Sequence, residues 1–183
     1  MTEPSETHEP SPGGSGVDKP SISVHGEDAS NSPPSRIPWP PILLVAVVAG
    51  AIVLNRTVPI GWPGLDDTAA HVVGLTIGVL GIALAIWSAL TLHRAKTTVR
   101  PDRAADHLVT SGPYARFRNP IYIADIMILL GLAELTKNIW LVIGAALFAI
   151  LVTILAILPE ERHLARRFGK TWDDYKARSR RWL

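Results

Sequence analysis

Four apolar runs of near-bilayer length dominate this chain and leave few folds open to it. They cover residues 37–54, 69–92, 121–135 and 139–158. A helix needs about 20 apolar residues to span the hydrocarbon core of a membrane. The second and fourth runs meet that length, and the first is adequate. The third is short and carries Asp125 and Glu134, but Thr136-Lys137-Asn138 joins it to the fourth as a helical hairpin. Backbone exposed to lipid must be helical or belong to a closed barrel, and no alternating strand pattern competes here. The expected fold is therefore all-α: an integral membrane bundle of about four transmembrane helices.

The remaining sequence divides around these runs. Residues 1–36 are rich in Ser, Pro, Gly and acids. Such a segment buries too little apolar surface to offset its ordering entropy, so it reads as a disordered tail. It lacks the basic start and short apolar core of a signal peptide. The domain proper is then 37–183. Although 48% of the 183 residues are hydrophobic, none is Cys, which excludes disulfides, thiolate metal sites and a cysteine nucleophile. No His pair has the helical spacing of a metal site, and no metal is expected. Within the second run, Gly74 and Gly78 stand four apart with Gly81 one turn on, a spacing that lets two membrane helices approach closely.

Charge gives an orientation. Six Lys or Arg lie between Arg94 and Arg118, and eight lie between Glu160 and Leu183; together they are 14 of the chain's 18. The loop before the second run holds only Arg56, and the hairpin turn only Lys137. The positive-inside rule places the two basic segments in the cytoplasm, and four spans return the N-terminus there too. Part of this charge is suited to anionic lipid head groups. Nothing in the chain suggests a nucleic-acid partner.

The two basic segments also carry the chemistry. The first reads Leu108-Val109-Thr110-Ser111-Gly112-Pro113-Tyr114, then Arg118-Asn119-Pro120-Ile121-Tyr122. Gly112 and Pro113 are turn residues. Pro120 suits the first position of a helix, whose N-terminus favours anionic groups. Rings, an amide and a fixed turn are what a nucleoside needs, and they are equally what an interfacial aromatic-basic belt contains. The second segment opens with Pro159-Glu160-Glu161. Paired carboxylates can hold an ammonium group or can be ordinary solvated charges. Leu164, Phe168, Trp172 and Tyr175 then form an amphipathic face suited to lying along the membrane. Gly169 suggests a break between two short helices, and Thr171-Trp172-Asp173-Asp174 fits a capping box for the second. Asp125 lies three residues after Tyr122 and so shares its helix face. An ionisable group inside a membrane segment is a functional candidate. The alternative is an interfacial Asp125 paired with Arg118 or water.

Taken in order, these motifs resemble the isoprenylcysteine carboxyl methyltransferase and phospholipid methyltransferase superfamily of integral membrane enzymes. The resembling elements are the Leu108–Tyr114 stretch, the Arg118–Tyr122 stretch, a helical hairpin, and a segment with Glu160, Glu161, Leu164, Phe168, Gly169, Tyr175 and Arg178. They cover roughly 98–178. The resemblance implies S-adenosyl-L-methionine as methyl donor. It implies one pocket wall of His107, Leu108, Val109 and Tyr114, and a second of Arg118, Asn119, Pro120 and Tyr122. It implies that Glu160 or Glu161 holds the cofactor's amino group, with Tyr175 and Arg178 bracing the segment. Many members carry His at the position of Asn119, where an amide keeps hydrogen bonding but cannot act as a base. The eukaryotic prenylcysteine enzymes resemble a pattern with Arg two residues before the glutamates, where this chain has Leu158; that argues against a prenylcysteine acceptor. Asn119 and Asp125 are the expected catalytic positions. The acceptor is lipophilic or a small amphipathic molecule, and carboxylate, amine and thiol all stay open. The competing expectation is a non-catalytic four-helix protein whose basic face binds anionic lipid or a partner.

Overall fold

The computed structural model describes residues 38–64, 68–95 and 108–183. His107 and the tail expected to be disordered lie outside them. The described residues form helices α1 (Trp39–Thr57), α2 (Thr68–Arg94), α3 (Pro120–Thr136), α4 (Ile139–Val152), α5 (Leu158–Phe168) and α6 (Lys170–Arg178). A 3₁₀ turn occupies Gly112–Ala115, and a π turn occupies Thr153–Ile157 between α4 and α5. The architecture is an all-helical membrane bundle, as the apolar runs predict.

Three helices are long and apolar enough to cross a membrane: Trp39–Thr57, Thr68–Arg94 and a continuous Ile139–Phe168. The remaining expected span is shorter. The third run becomes α3, whose 17 residues extend only about 25 Å at 1.5 Å per residue. Its C-terminal end holds Glu134, whose stem lies over Gly74 and whose carboxylate pairs with Lys137. By contrast, the fourth run does not stop at Leu158. Pro159 lacks an N–H, and its ring would crowd the carbonyl four residues back in a regular helix. The π turn widens the helix at that point, with the Leu158 N–H donating to the Thr153 carbonyl. The helix thus carries through Pro159 and delivers both glutamates past the apolar stretch.

Spatial order differs from chain order. α2 packs on α3, α3 on α4, and α4 on α1. The contact between α2 and α3 is nearly backbone to backbone. A Cβ on Gly131 would lie 2.5 Å from the Gly78 Cα, and one on Gly81 would lie 2.8 Å from the Met127 Cβ. The Gly74, Gly78 and Gly81 stripe therefore does bring two helices together, and Gly131 answers it from the other side. Leu129 and Ala133 of α3, Leu141, Ala145, Phe148 and Val152 of α4, and Leu43 and Ala51 of α1 form the core. Val72, Val79, Ile82 and Ile86 on α2 face outward, as lipid-facing residues do.

The hairpin turn is tied to α1. Lys137 adopts left-handed backbone angles (φ 50°), closing α3. The Asn138 side chain accepts from the Trp140 N–H at 3.0 Å and donates to the Ala51 carbonyl at 3.1 Å. Trp140 Nε1 donates to the Val58 carbonyl at 2.9 Å. The first of these bonds satisfies an N–H that the start of α4 leaves open, and the other two hold the turn against α1.

Candidate cofactor site at the helix ends

At the other end of the bundle, Leu108 and Val109 are half-buried. Gly112 has φ +58°, a left-handed conformation that disfavours a side chain. A Cβ there would also meet Thr91 Oγ1 at 2.8 Å, so the turn seats directly on the end of α2. The turn buries Pro113 and Tyr114. Fully buried Pro120 then opens α3, as expected of a residue without an N–H.

A second segment crosses this one. After α6, residues Ser179 to Arg181 run parallel to Arg116–Asn119, with Phe117 and Arg180 forming a β-bridge. The Arg118 N–H donates to the Arg180 carbonyl at 2.7 Å, and the Arg180 N–H donates to the Arg116 carbonyl at 2.9 Å. Asn119 does not cap α3 with its side chain; instead Asn119 Nδ2 donates to the Arg181 carbonyl at 3.1 Å.

The two glutamates part company here. Glu161 is held by two guanidinium groups. Arg118 Nε donates to its Oε1 at 3.1 Å, Arg181 Nε to the same oxygen at 3.0 Å, and Arg181 Nη2 to Oε2 at 2.6 Å. Arg118 also donates to the Ser179 carbonyl at 2.6 Å and the Lys176 carbonyl at 3.2 Å. The hydrogen bond to Glu161 raises the Arg181 pKa further, against a smaller opposing cost of burial. Forked Arg–carboxylate pairing of this kind fixes geometry as well as charge. Glu160, by contrast, accepts no hydrogen bond from the described residues. It lies within electrostatic reach of the Tyr114 and Tyr122 hydroxyls. Burial first, then the Glu160 carboxylate and Tyr175, push the Tyr114 hydroxyl above its ordinary range, so it stays protonated.

Asp125 is half-buried on α3 and also interacts electrostatically with Tyr122. It makes no ion pair with Arg118, whose hydrogen bonds go to Glu161, Lys176 and Ser179. Tyr122 thus lies within electrostatic reach of two carboxylates, Asp125 and Glu160, that nothing among the described residues neutralises.

Behind the site, the α6 face is not where the amphipathic pattern puts it. Trp172 and Tyr175 are 3% and 2% exposed, buried in the protein rather than lying on the membrane. Their rings meet edge to face at 5.8 Å, and the Tyr175 hydroxyl donates to the Tyr114 carbonyl at 2.7 Å. The capping box is also corrected. α6 begins at Lys170, which places Thr171 inside it, with Gly169 (φ +49°) as the N-cap and no side-chain cap. Burial of Trp172 sets the helix phase, and the glycine corner leaves Thr171 no capping position. Sequence reasoning missed Ser179 and Arg181. They lie in a run of basic residues, and only the chain crossing distinguishes Arg181 from its neighbours.

Helices that cross a membrane, a short helical hairpin, and polar segments joined at its open end define an integral membrane protein with an interfacial site. Residues 69–171 match the family described as Phospholipid methyltransferase, and the chain belongs to that family, part of the isoprenylcysteine carboxyl methyltransferase superfamily. Among curated proteins, it is similar to the nickel-cobalt-cadmium resistance protein NccN of Alcaligenes xylosoxydans xylosoxydans. They are 33% identical over 143 residues, 75% of this chain and 59% of the relative. It is also similar to the cobalt-zinc-cadmium resistance protein CzcN of Cupriavidus metallidurans. That match is 34% identical over 107 residues, 56% of this chain and 46% of the relative. The chain thus spans about half the length of these curated relatives. No solved structure gives a significant match.

Proposed function

We propose that this chain transfers a methyl group from S-adenosyl-L-methionine to a lipophilic or small amphipathic acceptor at the cytoplasmic face of a bacterial inner membrane. Family membership supports methyl transfer in a membrane. The observation that carries the cofactor reading is the pair of carboxylates, Asp125 and Glu160, both within electrostatic reach of Tyr122 and neither paired among the described residues. Half-buried carboxylates without a partner among the described residues call for a cationic one. The cofactor presents an ammonium and a sulfonium, so the residues fit it. The excess of Lys and Arg in the flanking segments supports the cytoplasmic orientation.

In this reading Glu160 receives the ammonium group. Glu161 does not, since both its oxygens are engaged by Arg118 and Arg181. Leu108, Val109 and Tyr114, with His107 before them, form one wall. Arg118, Asn119, Pro120 and Tyr122 form the other. The Asn119 amide is anchored through Nδ2, which leaves its Oδ1 to accept from a ligand N–H. The bound cofactor supplies a methyl group already activated on sulfur, so the protein's task is alignment rather than activation. A carboxylate acceptor needs no base. An amine or thiol acceptor must first lose a proton, and Asp125 is the group we assign to take it. The relatives' names give a setting, resistance to nickel, cobalt, zinc or cadmium, in which to look for the acceptor.

Calorimetry with S-adenosylhomocysteine on detergent-purified protein tests this reading. Saturable one-site binding is expected. A folded sample that binds neither S-adenosylhomocysteine nor S-adenosyl-L-methionine refutes it and leaves the basic face as a lipid- or partner-binding surface.

A further inference from the structure

We propose that Arg181 is a positioning residue for the cofactor site: its side chain fixes Glu161 while its main-chain carbonyl fixes Asn119. The inference rests on the methyltransferase reading above.

Three observations converge on this one residue. The guanidinium grips both Glu161 oxygens, at 3.0 and 2.6 Å, orienting that carboxylate. The Arg181 carbonyl accepts from Asn119 Nδ2 at 3.1 Å, setting which way the amide points. One residue earlier, the bridge between Phe117 and Arg180 fixes the register in which both contacts form. Arg181 therefore joins the α5 glutamates to the Arg118–Asn119 corner, two segments that the α3–α4 hairpin brings to the same end but does not bond together. Arg118 reaches Glu161 through a single nitrogen and spends its other contacts on the Ser179 and Lys176 carbonyls. It closes the ring of contacts, and Arg181 sets its geometry.

The consequence concerns Glu160. It is adjacent to Glu161 on α5, so the pairing that holds Glu161 restrains the stretch of helix from which Glu160 projects. If Arg181 is removed, Glu161 keeps Arg118 as a partner and the helix keeps its core, but the glutamates lose their fixed orientation. The expected signature is weaker cofactor binding in a folded protein.

The test is calorimetry of S-adenosylhomocysteine on full-length protein in detergent, with thermal unfolding measured on the same samples. Arg181→Ala is expected to weaken binding by about tenfold or more, the loss of a charge-assisted contact. Arg181→Lys keeps the charge without the fork, and is expected to recover only part of that loss. In Glu161→Gln/Arg181→Ala, binding is expected within about twofold of Arg181→Ala alone, because residues acting through one contact are not additive. Lys170→Ala, on the exposed side of α6, serves as the control with wild-type affinity. Should Arg181→Ala fold poorly, Arg181→Lys carries the same readout. Wild-type binding with unchanged affinity in a folded Arg181 variant overturns this inference alone, whatever happens to the melting temperature. Absence of wild-type binding overturns the methyltransferase reading, and the inference with it.

Discussion

The Tyr175 hydroxyl donates to the main-chain carbonyl of Tyr114 at 2.7 Å, joining α6 to the 3₁₀ turn in front of α3. Both residues are buried, so the carbonyl has no water to replace this donor. Tyr175→Phe is expected to lower stability by roughly 1–3 kcal/mol, the cost of an unsatisfied buried acceptor. Denaturant or thermal unfolding in detergent measures it.

The same tyrosine gives an alkaline limit. Burial raises its hydroxyl from 10.0 to about 12. The folded protein therefore keeps a proton that the unfolded chain loses above pH 10, and stability falls as pH rises from 10 towards 12. Below pH 10 the contribution is complete. Melting temperatures of wild type and Tyr175→Phe across pH 8 to 11 are expected to converge at the alkaline end.

Glu160 and Glu161 are adjacent in sequence but differ in their partners. Glu161→Gln leaves Arg118, whose side chain is 9% exposed, without its counter-charge. A loss of about 3 kcal/mol is expected, near the lower range for breaking a buried pair. Glu160→Gln removes a carboxylate with no partner among the described residues, so stability is expected to hold or rise. Its S-adenosylhomocysteine affinity is expected to fall by about tenfold or more. Equal behaviour of the two variants would contradict the division of labour.

Asp125→Asn separates two readings of that carboxylate. If it faces the site, affinity or turnover falls while the melting temperature holds. Wild-type affinity and turnover in the variant would remove Asp125 from the site and leave an interfacial role.

Gly131 is expected to tolerate no side chain, because its neighbour is the Gly78 backbone rather than a movable group. Gly131→Ala is expected to cost about 1–3 kcal/mol by overpacking. Gly50→Ala on α1 has nothing within 4 Å of the new Cβ, and serves as a near-neutral comparison.

Much of this architecture is legible before folding. The apolar runs, the hairpin turn, the Gly112-Pro113 turn and the Pro120 start all use local physics: solvent exclusion, backbone freedom and a missing N–H. The errors are also instructive. Leu164, Phe168, Trp172 and Tyr175 make a face that looks membrane-bound, because periodicity reports an apolar side and not what covers it. The fourth apolar run stops at Leu158, and a sequence does not show that a π turn will carry the helix on through Pro159.

By itself, the sequence determined that the chain is helical, lies in a membrane, and gathers two polar motifs on the same side as most of its positive charge. Those properties are sums over local composition, which burial in lipid converts into structure. Only the tertiary structure decided that, among the described residues, Glu161 has partners and Glu160 has none, and that Arg181 is the residue joining the motifs. Hydrogen bonds and ion pairs depend on distances of a few ångströms between residues far apart in the chain. Arg180 and Arg181 are the same letter in the sequence; the chain crossing at Phe117 turns one into a backbone link and the other into the partner of Glu161.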